Sequence, residues 1–235
     1  MVVILLFLRE PERTEKPTKA APPDIVKPSF SPKMIVFPVS VFLFGMMFSP
    51  INAGLSTLVA ERNLGASFIS SVALSMSTIG GIVTGMIIDR IHRLRRFAIP
   101  VMLMSIACGC FFVLNAKNTI ALCTGVFLVG FGYFAVKPLM TLYMRDEVSP
   151  ESVTMITMVI FAMTNLGIFA SNAWISLANR LISQYNTELE KAIFAGGCMY
   201  ILFSVLYYIY DPVKNHAKES NKVSHGGLLH TAERK

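Results

Sequence analysis

Charge is what this sequence has least of. Only 15% of its 235 residues are Asp, Glu, Lys or Arg, against 54% hydrophobic residues and a mean hydropathy of +0.58. A soluble domain carries about a quarter of its residues charged, so this chain cannot cover a water-facing surface. That excludes a soluble globular fold and leaves a membrane-embedded chain. Acids are the scarcest charges of all, and none lies deep inside an apolar run. Proton-coupled movement needs a titrating group along its path, so the chain by itself declares no coupling ion. Only four cysteines occur, Cys108, Cys110, Cys123 and Cys198, all inside apolar runs and without zinc or redox spacing. They read as small packing residues. The four histidines are scattered. No His-Glu-x-x-His, Gly-x-Ser-x-Gly or phosphate-binding Gly-rich lysine motif occurs, so neither an enzyme, a catalytic residue, a metal nor a cofactor is expected.

What is present is apolar length. A helix needs roughly 20 apolar residues to cross a bilayer. Six runs qualify: Met34–Ala60, Ala66–Ile88, Phe97–Leu114, Thr119–Met144, Ser152–Asn179 and Ala192–Tyr210. Short polar breaks separate them, including "ERNLG", "NAKN" and "RDEVSPE", with the longer "RLISQYNTELEK" before the last. The expected fold is all-α, a polytopic membrane bundle of six transmembrane helices occupying residues 34–211. Residues 212–235 form a polar tail.

The net charge of +7 has a position as well as a sign. Basic residues flank the apolar runs and do not form a face interleaved with aromatics, which argues against nucleic acid as a partner. With residues 1–33 in the cytoplasm, the cytoplasmic segments hold sixteen Lys and Arg, the outer loops hold four, and Lys137 is left inside a span. The excess includes Arg90, Arg93, Arg95 and Arg96 in one loop. Positive residues stay inside, so both termini are predicted to be cytoplasmic. The cell (plasma) membrane is the expected location.

The first eight residues, "MVVILLFL", are too short to span and lack the basic start of a signal peptide. A Pro- and charge-rich stretch follows, reading as a linker without a core. Residues 1–33 are therefore expected to be the end of a preceding helix plus a cytoplasmic linker.

One motif points to a family. "GMIIDRIHRLRR", Gly85 to Arg96, resembles the signature loop of the major facilitator superfamily: Gly, three residues, Asp-Arg, one residue, Gly, Arg, then Arg or Lys. Gly85, Asp89, Arg90 and Arg93 match, and His92 stands where the family usually has Gly. The loop lies between the second and third full spans, where the family places it. The resemblance implies a C-terminal six-helix half, with the stub as the end of helix six, the Pro-rich stretch as the central linker, and the spans as helices seven to twelve. It implies a secondary transporter of a small solute working by alternating access, and a conformational gate at Gly85, Asp89, Arg90 and Arg93. A missing N-terminal six-helix half or a homodimer partner would complete it within the lipid bilayer. The competing reading is a non-transporting truncated remnant or a membrane interaction subunit.

The resemblance also implies a substrate cavity lined mostly by the first and fourth spans of the half. The first offers Ser49, Asn52 and Ser56 on one face, and the fourth offers Tyr133 and Lys137 one turn apart. Lys137 is the only basic residue well inside a span. It reads either as a counter-charge for an organic anion or as a side chain snorkelling to the headgroups, roughly 12 Å from the level of Arg145. The fifth span carries Asn165, Asn172 and Asn179 at heptad spacing, a polar stripe that lines the pathway or bonds to a neighbour. Trp174, near the outer end, reads as an interfacial anchor. On the second span, Ser67, Ser71, Ser75, Thr78, Gly81, Gly85 and Asp89 share an arc that admits a close neighbouring helix.

Charge placement yields a direct test. On a cysteine-free background, single cysteines at positions 63 and 184 are expected to react with an impermeant reagent from outside. Arg93→Cys should react only after the membrane is opened. Outside labelling at position 93 would refute the span count.

Overall fold

A computed structural model of the chain describes residues 33–61, 67–90, 95–147 and 153–210. The predicted N-terminal stub, most of the linker, the loop residue Arg93 and the C-terminal tail lie outside the described residues. Seven helices follow one another: α1 (Lys33–Glu61), α2 (Ser67–Arg90), α3 (Arg95–Asn115), α4 (Thr119–Glu147), α5 (Val153–Phe169), α6 (Ser171–Leu181) and α7 (Glu188–Tyr210). No strand occurs among the described residues. Helices α1, α2, α3, α4 and α7 are each long and apolar enough to cross a membrane. Helices α5 and α6 qualify only together, as one span bent by 51°. The chain is an all-α, polytopic membrane bundle.

Lipid is as apolar as leucine, so the hydrophobic effect does not drive helices together inside a bilayer. Close packing and interhelical hydrogen bonds must do it. Glycine provides the closeness here. A Cβ on Gly109 of α3 would stand 2.6 Å from the Gly125 carbonyl oxygen of α4, and one on Gly125 would stand 2.8 Å from the Val113 backbone nitrogen. The two backbones therefore run in near contact, and Ser105 of α3 donates to the Leu128 carbonyl of α4 at 3.1 Å. Helix α1 meets α5 in the same way, with Gly45 against the Thr164 carbonyl and Gly167 against the Phe42 carbonyl. Tyrosine and serine hydroxyls tie in α7. Tyr200 donates to the Phe44 carbonyl at 3.0 Å, Tyr207 to Ser40 at 2.9 Å, and Ser204 to the Pro100 carbonyl at 2.8 Å.

The pairing pattern repeats within the chain. Helix α2 packs on α4, and α5 packs on α1. In order of spans, second-on-fourth is matched by fifth-on-first. The small-residue arc predicted on α2 is rotated in the structure. Gly81 is buried against Ala135 and Phe134, and Gly85 faces Pro138, but Ser71 and Ser75 are exposed. Ser77, outside the predicted arc, is fully buried against Gly130 of α4. Among the cysteines, Cys110 is buried in the packing, whereas Cys108 and Cys198 are exposed and Cys123 is half-buried.

Three expectations change. The fifth span is not one helix: Ala170 has φ −77° and ψ 2°, rotated out of the helical range at ψ, and Ala173 bonds back to the Ala170 carbonyl at 3.0 Å. Asn165 therefore lies on α5, while Asn172 and Asn179 lie on α6, and the predicted stripe is split. Asn179 joins Glu188 and Lys191, both at 2.8 Å, fastening α6 to the start of α7, which is the neighbour-bonding alternative for that residue. The sixth span starts at Glu188, ahead of the predicted Ala192. The Thr187 hydroxyl accepts from the Glu190 N–H at 3.2 Å, and Glu188 and Glu190 sit in the first turn, where acids suit the helix dipole. Trp174 is not an interfacial anchor. It is 8% exposed, and its indole N–H donates to the Ala192 carbonyl of α7 at 3.1 Å.

Because Trp174 is the sole tryptophan, its fluorescence reports on that contact alone. Aqueous iodide and headgroup-brominated lipid are both expected to quench it weakly. Strong quenching by either would restore the anchor reading.

Candidate functional site

Two helices build the cluster that holds Lys137. Helix α4 places Tyr133 and Lys137 one turn apart on the same side. Helix α1 brings Phe48 flat against Tyr133, with ring centroids 3.7 Å apart and planes within 4°. Phe134 meets both rings edge-on, at 6.0 Å from Phe48 and 5.5 Å from Tyr133. With one face of the tyrosine taken by Phe48, the Lys137 ammonium rests over the other, 4.5 Å from the ring centroid. The ring's negative face attracts a cation by about 0.5–2 kcal/mol, more as water is excluded. Lys137 is half-buried and Tyr133 is 3% exposed. The Tyr133 hydroxyl is buried and has no hydrogen-bond partner among the described residues. Tyr133 and Lys137 line a cavity of about 10 Å³ with Val41, Phe44, Ile106 and Val136. That is room for about one water molecule.

Other predicted site residues stand apart from this cluster. Ser49 is half-buried and Asn52 exposed, both on α1 beyond Phe48, and neither lines the cavity. Ser56 lies in α1 and Asp89 in α2, but their side chains fall outside the described residues. Asn165 is exposed on α5. Arg90 is exposed at the last residue of α2, and Arg93 lies outside the described residues. Gly85 faces Pro138, the residue after Lys137, across a cleft of about 260 Å³ shared with Ile82, Met86, Leu139 and Leu142. One residue of the predicted gate therefore packs on the helix that carries the predicted site.

Sequence reasoning missed Phe48, which is one of many phenylalanines in an apolar run. No spacing marks which of them stacks on a tyrosine three helices later in the chain.

A family-level match to the Major Facilitator Superfamily spans residues 1–172. The chain belongs to that superfamily. The match covers α1 to α5, and so both helices of the Phe48–Tyr133–Lys137 cluster. No curated protein and no solved structure matches the chain. As a superfamily member with apolar helices of spanning length, the chain is an integral membrane protein of the transporter class.

The cation–ring contact is measurable. A double-mutant cycle of Tyr133→Leu and Lys137→Met, read from thermal unfolding in detergent, is expected to show a coupling of about 0.5–2 kcal/mol. Coupling indistinguishable from zero would mean that the ammonium spends its time in the headgroups.

Proposed function

We infer that the chain is the C-terminal six-helix half of a secondary active transporter, moving a small solute by alternating access in the plasma membrane with both termini cytoplasmic. Superfamily membership over residues 1–172 carries the reading. The signature motif supports it, lying where α2 ends and α3 begins. A second bundle completes the pathway, either an N-terminal six-helix half or a second copy of this chain. Helix α2 exposes Met76, Ile79, Ile82, Met86 and Ile87 along its length, a face that lipid or the second bundle covers. Rocking of one bundle against the other would then open Asn52 and Lys137 first to one side and then to the other.

Asp89 is proposed as the latch. It stands at the cytoplasmic end of α2, one residue before its last, and a carboxylate there can accept hydrogen bonds from an arginine or a helix N-terminus. A latch biases an equilibrium only if its contact differs between the two access states. Breaking a contact on the cytoplasmic side loosens that side, so the mutant favours the inward-open state.

Accessibility tests this without a known substrate. In the assembled two-bundle transporter, on a cysteine-free background, Asn52→Cys is expected to react with impermeant reagents applied from either side. Adding Asp89→Asn should leave expression near normal and raise the ratio of cytoplasmic to outside labelling, by roughly five- to 150-fold. Reaction from one side only would exclude alternating access. An unchanged ratio in a folded mutant would reduce Asp89 to a helix-end residue.

A further inference from the structure

Helix α6 has three sides. Residues four apart on a helix lie one above the other, so its 11 residues sort into strips. Trp174 and Ala178 form the buried strip, and Trp174 bonds to α7. Asn172, Ser176 and Arg180 form a second strip, and all three are exposed. Ala173, Leu177 and Leu181 form a third, also exposed, Leu177 at 47% and Leu181 at 74%. The open surface of this one helix is therefore divided lengthwise into a polar edge and an apolar edge. No single medium suits both. Leucines fit acyl chains. Asn172 has no side-chain hydrogen bond among the described residues, and an amide turned toward acyl chains would keep its donors and acceptor unpaired.

Packing places the polar edge. Helix α5 has 17 residues and rises about 25 Å, less than the roughly 30 Å of hydrocarbon, so α6 is needed to complete the span. A Cβ on Gly54 of α1 would run into Leu189 of α7, and Asn179 of α6 is bonded to Glu188 of α7. The later part of α1 and the end of α6 thus meet the same end of α7, and α6 touches α1 directly. Asn52, two residues before Gly54, is exposed at that end as well.

We propose that α6 is the wall between water and lipid at the outer mouth of the pathway. Its Asn172–Ser176–Arg180 edge faces an aqueous vestibule that Asn52 shares, and its Ala173–Leu177–Leu181 edge faces acyl chains. This deepens the transporter reading, and it rests on that reading for what the vestibule leads to. The vestibule takes water and hydrated solutes, met by side-chain amides and a hydroxyl that both donate and accept. Trp174, bonded to the Ala192 carbonyl, keeps the wall seated on α7.

Nitroxide labels read both edges. In the assembled two-bundle transporter in liposomes, on a cysteine-free background, single labelled cysteines replace Asn172, Ala173, Ser176, Leu177 and Leu181. Each label is relaxed by oxygen, which enters acyl chains, and by a nickel chelate, which stays in water. Labels at 172 and 176 are expected to respond to nickel, and those at 173 and 177 to oxygen. The label at 173 should also lie at least about 6 Å deeper than the one at 181, half the roughly 12 Å that eight residues rise in a helix. Native Trp174 emission shows in each variant that α6 is still seated. Equal depth at 173 and 181 would overturn the proposal, because the helix would then lie flat among the headgroups. So would oxygen at both edges, nickel at both edges, or protection of 172 and 176 from both reagents, which would put a protein partner on the polar edge. The measurement needs neither solute nor alternation, so a failure here is distinct from a failure of labelling at Asn52, which judges the transporter reading.

Discussion

Backbone proximity between helices is the constraint on which the bundle rests. In a bilayer, leucine gains nothing by leaving lipid for protein, so large side chains cannot hold the helices together. Dispersion contacts and polar bonds between helices can, but both act only at short range. Gly109 and Gly125 bring α3 and α4 within reach, and Gly45 and Gly167 do so for α1 and α5. Each hydroxyl-to-carbonyl bond, such as Tyr200 to Phe44, then adds to a contact that already exists. Glycine, a poor helix residue in water, is here the residue that permits the fold.

Lys137, a charge well inside an apolar span, is held differently. Lys137 is not folded into the packing, and neither is it free in water. Its ammonium lies on Tyr133, which is itself clamped by Phe48 from α1. An aromatic face attracts a cation less strongly than a carboxylate does, so the contact can be exchanged for a better one. A salt bridge at this place would have fixed the lysine, and a purely aliphatic surrounding would have driven it toward the headgroups. The stack places the cation between those extremes.

The spans were legible because membrane thickness fixes their length and because polar breaks interrupt apolar runs. The signature motif was legible because it is local. What failed was whatever depends on a neighbour. The break at Ala170 has no proline and no glycine at the bend itself, so nothing local marks it, and the two pieces pack mainly on different helices, α5 on α1 and α6 on α7. Trp174 carries the composition of an interfacial residue, and only the nearby Ala192 carbonyl makes it an interhelical one. The start of α7 was missed for a different reason. Thr187-x-x-Glu190 is a capping signal in the sequence itself, but charges at Glu188, Glu190 and Lys191 made the stretch look like loop. For the candidate site, Tyr133 and Lys137 were legible from their spacing and from the rarity of a buried charge. Phe48 was not, because stacking partners are chosen in three dimensions.

The divided fifth span has a packing consequence. Its first piece lies on α1 through Gly167 and Gly45, and its second is fastened to α7 through Trp174 and the Asn179 cluster. Helix α6 also touches α1, so the two pieces share one neighbour and differ in the other. The change of direction falls at Ala170, where the backbone leaves the helix. A straight fifth helix would carry its outer end away from the start of α7. The 51° bend instead turns one span onto two surfaces of the same bundle.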